Sequence, residues 1–372
     1  MQKKALHIVS FDNPFPPVYG GIVEVYSKLK PLHDLGISIY LHCFVDVIPQ
    51  NYPELSAVCE QVFFYKTNKS PIHFFSVLPF SVVSRNSADL LKNLQINDAP
   101  ILFEGLKTVY WIHKNHLTDR NKILRLHNIE HHYFQGISAS ETNFFRKIIF
   151  TAEAAKFASF EKVISKFNKV LTLSNFENRH VQSEFNNAAY IPVFHGNEKV
   201  EQLDGIGKYA LYHGDLRMSD NLRVVFSLIA IFREIPQVKL VIAGNAKGDV
   251  VRQKIGNATN ISFVQIDNFT HLTSLLREAH VNLIFSYQKS GTKLKLMTAL
   301  FNSRFCVIND NIMDDEQVSG LCEHASSDAE IKAKVLELQN KAYNGFEQRR
   351  NVLERYMNDH HNAQLLIDQI WN

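Results

Sequence analysis

Uninterrupted apolar runs, separated by stretches of helix length, recur along the first half of the chain as ALHIVSF, SIYLHCFV, QVFFY, APILFEG, KILRLHN and KVLTLS. A strand with one wet face alternates apolar and polar residues. A run without polar interruption has both faces covered, as in a parallel sheet flanked by helices. After AYIPVF comes HGNEKVEQLDGIGK, a polar, glycine-containing stretch with the composition of a linker, which puts a boundary near residue 200. The pattern then starts again with YALYHG, VKLVIAG, ISFVQI, VNLIFSY and RFCVIND. These elements predict an α/β chain of two tandem doubly wound, Rossmann-like parallel-sheet domains, residues 1–198 and 199–355. In the closing stretch, residues 356–372, the positions of Leu365, Leu366, Ile367, Ile370 and Trp371 predict an amphipathic helix that must pack on something.

Length agrees with two domains, since 372 residues at 45% apolar content exceed one ordinary core. A formal charge of +3 gives no global field for nucleic acid, and none is expected as a partner. Cys43, Cys59, Cys306 and Cys322 are scattered without the close spacing of a metal site or disulfide framework, so a reducing, cytoplasmic setting is expected. The opening MQKKALHIVSFDNPFPP has two lysines before an apolar run, but Asp12 and the prolines cut that run, and a signal peptide is not expected. VVFSLIAIF, the longest apolar run, is far shorter than the roughly 20 residues that span a bilayer. A peripheral contact with an anionic membrane is one reading of NFFRKIIFTAEAAKFASFEKVISKFNK, where phenylalanines mix with Arg146, Lys147, Lys156, Lys162, Lys166 and Lys169. The reading favoured here is a core-packed helix with a basic solvent face, because Glu153 and Glu161 interrupt the charge.

Parallel open sheets bind ligands beyond the carboxyl ends of their strands, so the residues just after each run carry the candidate chemistry. Gly20 and Gly21 follow the first strand and open a helix, where backbone N–H groups can approach an anion or sugar closely; tight-turn geometry alone explains them equally well. Gly214 ends the first strand of the second half, and Arg217 in the loop beyond it suits a diphosphate. KSGTKLKLMTAL places Lys289, Ser290, Gly291, Thr292 and Lys293 at an expected helix start, a natural phosphate site. Lys295 falls on another helix stripe from Lys293, so not all three lysines can face one ligand; Lys289 and Lys293 are the favoured contacts because they lie nearest the helix start, and the bland alternative is that two of the three face solvent.

In the first half, RLHNIEHHYF gathers Arg125, His127, Asn128, Glu130, His131 and His132 at a strand end. The spacing lacks the His-Glu-two residues-His pattern, and adjacent His131 and His132 are expected to diverge, so no metal is assigned. His127, at the strand terminus itself, is placed to hydrogen-bond a polar ligand. Glu104, ending ILFEG, is either a ligand contact or base, or simply a carboxylate at a helix start.

Taken in order, FPPVYGGI, RLHNIEHHYF, VLTLSNFE, IPVFHG, LYHGDLRMSDN, LVIAGN and SGTKLKLMTALFNSRFCVIND resemble a GT-B glycosyltransferase of the large retaining family that includes bacterial polysaccharide mannosyl- and glucosyltransferases. The resemblance implies an amino-terminal acceptor domain, a carboxyl-terminal nucleotide-sugar domain, a cleft between them and a final helix crossing back to the first. It implies that Gly20 and Gly21 lie near the donor phosphates, that His127 contacts the transferred sugar as the catalytic residue, and that Gly214 and Arg217 approach the diphosphate. Lys289, Ser290, Gly291, Thr292, Lys293 and Thr298 complete the donor side; Glu104, Arg125, Asn128 and Glu130 fall on the acceptor side.

The implied activity is metal-independent, cofactor-free transfer of a hexose from a nucleotide diphosphate sugar to a glycan or lipid-linked saccharide. The sequence departs from that family at Ser290 and Thr298, where paired glutamates are usual, and at Asp215 and Asp220, where cations are usual. A threonine offers ribose hydroxyls less than a carboxylate does, and losing such a charged hydrogen bond costs about 1.5 to 3 kcal/mol. The rival readings are a sugar-nucleotide epimerase on the same scaffold, using Glu104 and Glu130, and a non-catalytic binding subunit.

Overall fold

The computed structural model describes residues 4–141, 143–289 and 294–371. The chain divides into two compact units, one running to Gly196 and resuming at Asn358, the other lying between Asn197 and Met357.

The first unit holds strands β1 (Ala5–Ser10), β2 (Ser38–Val45), β3 (Gln61–Lys66), β4 (Ile101–Glu104), β5 (Lys122–Leu126), β6 (Lys169–Thr172) and β7 (Ala188–Tyr190). They form one parallel sheet in the order β3-β2-β1-β4-β5-β6-β7. Side chains alternate across it. Leu6, Ile8, Leu102 and Leu171 pack one face against Leu29 and Leu32 of the helix Gly20–Asp34 and against Leu366 and Ile370 of the helix Asp359–Trp371. Val9, Phe103, Leu124 and Val170 turn to the other face, where Phe157 and Phe160 cover them. Covering on both faces is why these strands read as continuous apolar runs.

The second unit holds β8 (Tyr209–Gly214), β9 (Leu240–Gly244), β10 (Ile261–Gln265), β11 (Ala279–Ile284), β12 (Phe305–Ile308) and β13 (Glu323–His324). Its parallel sheet has the order β10-β9-β8-β11-β12-β13. In both sheets the order reverses beside the first strand, between β1 and β4 and between β8 and β11. That reversal opens a crevice at the strand carboxyl ends, the usual ligand position in such sheets. The three-residue β7 and two-residue β13 are edge strands too short to register as apolar runs.

Two expectations change. The polar stretch after AYIPVF is tied down along the second unit: Val200 is buried and donates its N–H to Glu354 Oε1 at 3.0 Å, and Gly205 forms an antiparallel bridge with Tyr343. The long basic stretch is one helix only over Phe144–Phe160, followed by a 3-10 turn Glu161–Lys166 and then β6. The closing helix is fastened where Asp359 accepts the N–H groups of His195 and Gly196 at 3.0 and 2.7 Å.

Within the first core a chain of polar groups crosses β1, β2 and β3. His7 Nε2 meets Asn97 Oδ1 at 3.0 Å, His7 Nδ1 meets His42 Nε2 at 2.9 Å, and His42 Nδ1 meets Tyr65 Oη at 2.8 Å. Asn93 donates to the same Tyr65 oxygen at 3.0 Å. All four contacts are satisfied when both rings are neutral: His7 donates through Nε2 to Asn97, His42 donates through Nε2 to His7, and Tyr65 donates to His42. Burial is the main influence holding His7 down at about 4, and burial with His7 beside it holds His42 well below its ordinary value.

Because both folded values lie below the unfolded one near 6.5, the unfolded chain binds more protons as pH falls, and this stability is present above 6.5 and lost below it. Urea unfolding at pH 7.5 and 5.0 is therefore expected to show a fall on the order of 1 to 3 kcal/mol. The His7→Leu/His42→Leu double variant should flatten that difference; an unchanged slope would remove the assignment.

Candidate functional site

Two charged residues stand on the apolar stripe of the first helix. Ile22, Val25, Leu29 and Leu32 face the sheet, and Glu24 and Lys28 are buried with them. Lys28 Nζ lies 2.7 Å from Glu24 Oε2 and 2.5 Å from Glu104 Oε1 at the end of β4. Arg125 of β5 donates through Nε and Nη2 to Glu24 Oε1, both at 2.9 Å, and its remaining donors reach the carbonyls of Thr172, Ile191 and Pro192. Glu104 Oε2 takes the last position with His127 Nε2 at 2.7 Å. Burial alone pushes the Glu24 carboxyl up; Lys28, Arg125 and His127 outweigh it and hold it down at about 2.

One atom each from Glu24, Glu104 and His127 lies within 4.8 Å of the others, a spacing that a divalent cation could bridge. The Lys28 ammonium already bridges the two carboxylates there, so these residues serve an ion-pair network. Its product is a fixed imidazole: Glu104 holds His127 by Nε2, the Phe11 ring meets it edge-on at 5.5 Å, and Nδ1 has no hydrogen-bond partner among the described residues.

Around His127 stand further polar groups of the same unit. Tyr19 donates to Asp12 Oδ2 at 2.8 Å, and burial, then Asp12, pushes its phenol far up. Lys107 Nζ sits 5.8 Å from the Phe11 ring centre and 3.5 Å from Glu130 Oε1. Glu130 is buried, and its Oε2 has no hydrogen-bond partner among the described residues. Asn128 is half-buried and makes no hydrogen bond to described residues. Gly20 and Gly21 begin the first helix, with no side-chain cap from Tyr19. At Gly21 the Phe11 ring packs close, and an added Cβ would lie 2.9 Å from Phe11 Cζ, so a side chain there would displace that ring.

This arrangement revises several expectations. Arg125 and Glu104 are fully buried with their groups engaged, so they position His127 and are closed to an acceptor. His131 and His132 do not diverge; their rings lie 4.2 Å apart, and His131 Nδ1 is 3.0 Å from Glu161 Oε2, with His180 Nε2 3.6 Å from the same oxygen. The cause is the helix Asn175–Phe185, which brings His180 and Phe176 against the pair.

In the second unit, Gly214 ends β8, where a Cβ would meet Tyr212 Oη at 3.2 Å. Arg217 is exposed and locked by Asp215, Nε to Oδ1 at 2.9 Å and Nη2 to Oδ2 at 2.6 Å, so its charge is largely cancelled. Thr298 donates its hydroxyl to Leu294 O of its own helix at 3.2 Å. Lys289 is exposed, while Ser290, Gly291, Thr292 and Lys293 lie outside the described residues.

Among the described residues, Lys295 lies at these strand ends: it donates to Phe285 O just past β11 at 3.1 Å and lies 5.2 Å from the Tyr212 ring centre. Burial, then Lys295, holds His213 down at about 3, and its Nε2 is buried without a partner. Arg223 stacks on the exposed Tyr287 ring at 3.9 Å. Lys28 and Lys107 are not among the residues expected from the sequence, and Lys295 ranks there behind Lys289 and Lys293; for Lys28 the available signal is its place on the apolar stripe of its helix.

Two parallel-sheet units of this strand order define the GT-B fold, and the solved structures bear this out. Sucrose-phosphate synthase from Thermosynechococcus elongatus superposes with a TM-score of 0.69 at 13% identity, covering 98% of each chain. TarM of S. aureus, in complex with Fondaparinux, alpha-GlcNAc-glycerol and UDP, gives 0.67 at 12% identity over 99% of this chain and 100% of that one. Anabaena HepE with UDP and glucose gives 0.65 at 11% over 98% and 99%. A sequence relative, an uncharacterized protein in the cps region of Klebsiella pneumoniae, is 28% identical over 321 residues, 81% of each chain. No family model matches.

Removing the Lys28 ammonium leaves two buried carboxylates facing each other. Lys28→Met is expected to cost about 3 to 5 kcal/mol in urea unfolding, whereas Arg217→Ala, an exposed pair, should cost under about 1 kcal/mol. Comparable losses for the two would mean that the buried network does not hold the strand ends.

Proposed function

We propose that the protein is a glycosyltransferase that moves a hexose from a nucleotide diphosphate sugar to a hydroxyl of a glycan or lipid-linked saccharide, in surface polysaccharide synthesis. The observation that carries this reading is His127, fixed at the end of β5 by Glu104 and the buried ion pairs, with Nδ1 left for a ligand. A sugar hydroxyl is the right partner for such a nitrogen. The GT-B fold and the UDP, glucose and alpha-GlcNAc-glycerol named in neighbouring structures support the substrate class, and the relative's cps region supports the polysaccharide role. The four cysteines are free thiols, which suits a cytoplasmic location.

In this reading Lys295, at the strand ends of the second unit, carries the diphosphate's negative charge, and transfer proceeds without a metal. The bond from the anomeric carbon to the diphosphate oxygen breaks as the acceptor oxygen bonds that carbon. The acceptor's proton passes to the departing phosphate on the same face, so configuration is retained and no protein base is required. Glu130, buried with Oε2 unpartnered beside Lys107, binds an acceptor hydroxyl.

A second reading, a binding subunit without turnover, is favoured by Thr298, whose hydroxyl is spent inside its helix, and by Asp215, which cancels Arg217. Calorimetry and turnover with a panel of nucleotide sugars separate the two. The enzyme reading expects donor binding, release of nucleoside diphosphate with acceptor present, and activity that survives EDTA. His127→Ala should lower kcat about 100-fold, and Lys295→Ala should chiefly raise the donor KM, about 10-fold or more. Turnover unchanged in His127→Ala would overturn the assignment; donor binding with no transfer to any acceptor would favour the second reading.

A further inference from the structure

The amino-terminal end of the helix Phe144–Phe160 is exposed on every side. Each residue from 143 to 149 is exposed, and the large apolar ones are Phe144 at 68%, Phe145 at 75%, Ile148 and Ile149. The neighbouring stretch from Pro71 repeats this composition, with Ile72, Phe74, Phe75 at 89% and Val77 at 88% exposed. The stretch from Pro71 meets the same helix just beyond its exposed end, at Glu153 and Lys156, within the first unit. Lys156 of the helix donates to Phe74 O at 3.0 Å, Glu153 accepts the Phe80 N–H at 2.9 Å, and the Phe74 and Phe80 rings stack at 4.4 Å. Eight large apolar side chains are thus left open to solvent along these two stretches, and clustered exposure of this kind marks an interaction surface. The core-packed helix expected from the sequence holds only from Glu153 onward, where Glu153, Ala154, Phe157 and Phe160 are buried.

Charge selects the occupant. Between residues 66 and 85 the ionised side chains are Lys66, Lys69 and Arg85, and between 143 and 152 they are Arg146 and Lys147, with no carboxylate in either stretch. The nearest acids are Asp46, which pairs with Lys69, Glu141, 3.7 Å from Arg146, and Glu153, which pairs with Lys156 at 3.0 Å. A second copy seated on the same patch would bring like charges face to face, which opposes a symmetric dimer. A folded partner covers one side of a helix, whereas this helix end offers apolar and basic groups on every side, as needed for a surrounding fluid phase. No helix among the described residues is long and apolar enough to cross a membrane, so the contact is with its surface.

We propose that this helix end and the stretch Pro71–Val77 dock the protein on an anionic bilayer, aromatic and aliphatic side chains entering the headgroup and acyl boundary and Arg146, Lys147 and Lys66 meeting lipid phosphates. The inference stands on the first unit's surface and is independent of the transferase reading.

The test is flotation of the full chain with vesicles of phosphatidylcholine alone and with about one third phosphatidylglycerol. Binding is expected to be at least about tenfold tighter to the anionic vesicles at low salt and to weaken as salt screens it. Phe75→Ser/Phe145→Ser, at positions exposed enough to leave the core intact, should reduce binding at least about tenfold with an unchanged melting temperature. Absence of flotation with anionic vesicles, or a double variant that floats like the parent, overturns the proposal. A dimer in sedimentation that the same substitutions dissolve, without flotation, assigns the patch to self-association instead.

Discussion

A buried lysine bridging two carboxylates is the constraint on which the first unit's ligand edge depends. Lys28 is fully buried, and so are Glu24 and Glu104 on either side. Burying charges is expensive, and the attraction between them offsets that only when every partner is hydrogen-bonded. Here Arg125 neutralises Glu24 and fastens the carbonyls of Thr172 at the end of β6 and of Ile191 and Pro192 beyond β7, His127 completes Glu104, and Glu24 Oε2 faces the Lys28 ammonium at 2.7 Å. A helix and the ends of β4 and β5 are thus fixed to one another by directional bonds where packing alone would leave freedom.

The second unit solves a similar problem differently. Among the described residues its strand ends hold Lys295 against a backbone carbonyl and an aromatic ring, with a neutral histidine alongside. Arg217, the more conspicuous cation in the sequence, is neutralised by its neighbour Asp215.

The two sheets were legible because a strand covered on both faces leaves an uninterrupted apolar run, and all strands but β7 and β13 have one. The buried ions were harder to read. Lys28 in IVEVYSKLK passes for the polar face of an amphipathic helix until it is set three residues after Val25 and four before Leu32, on the apolar stripe. Arg125 inside KILRL carries the same warning, a charge in a strand that has no wet face. His127 was legible because it stands at a strand terminus, yet its partners come from residues up to 103 positions away in sequence, counting from Glu24. Pairing across that distance leaves no trace in local pattern. The exposed helix end was masked for the opposite reason: one continuous helical pattern spans both its buried and its solvent-facing turns.

The fastening of Asp359 to the backbone of His195 and Gly196 sets an order on biosynthesis. Ala363, Leu366, Ile367 and Ile370 belong to the core on one face of the first sheet, but they leave the ribosome only after the whole of the second unit. Nascent domains otherwise mature in the order they are made. In this chain the amino-terminal sheet must wait with one flank uncovered, and the domain translated later is free to become native sooner.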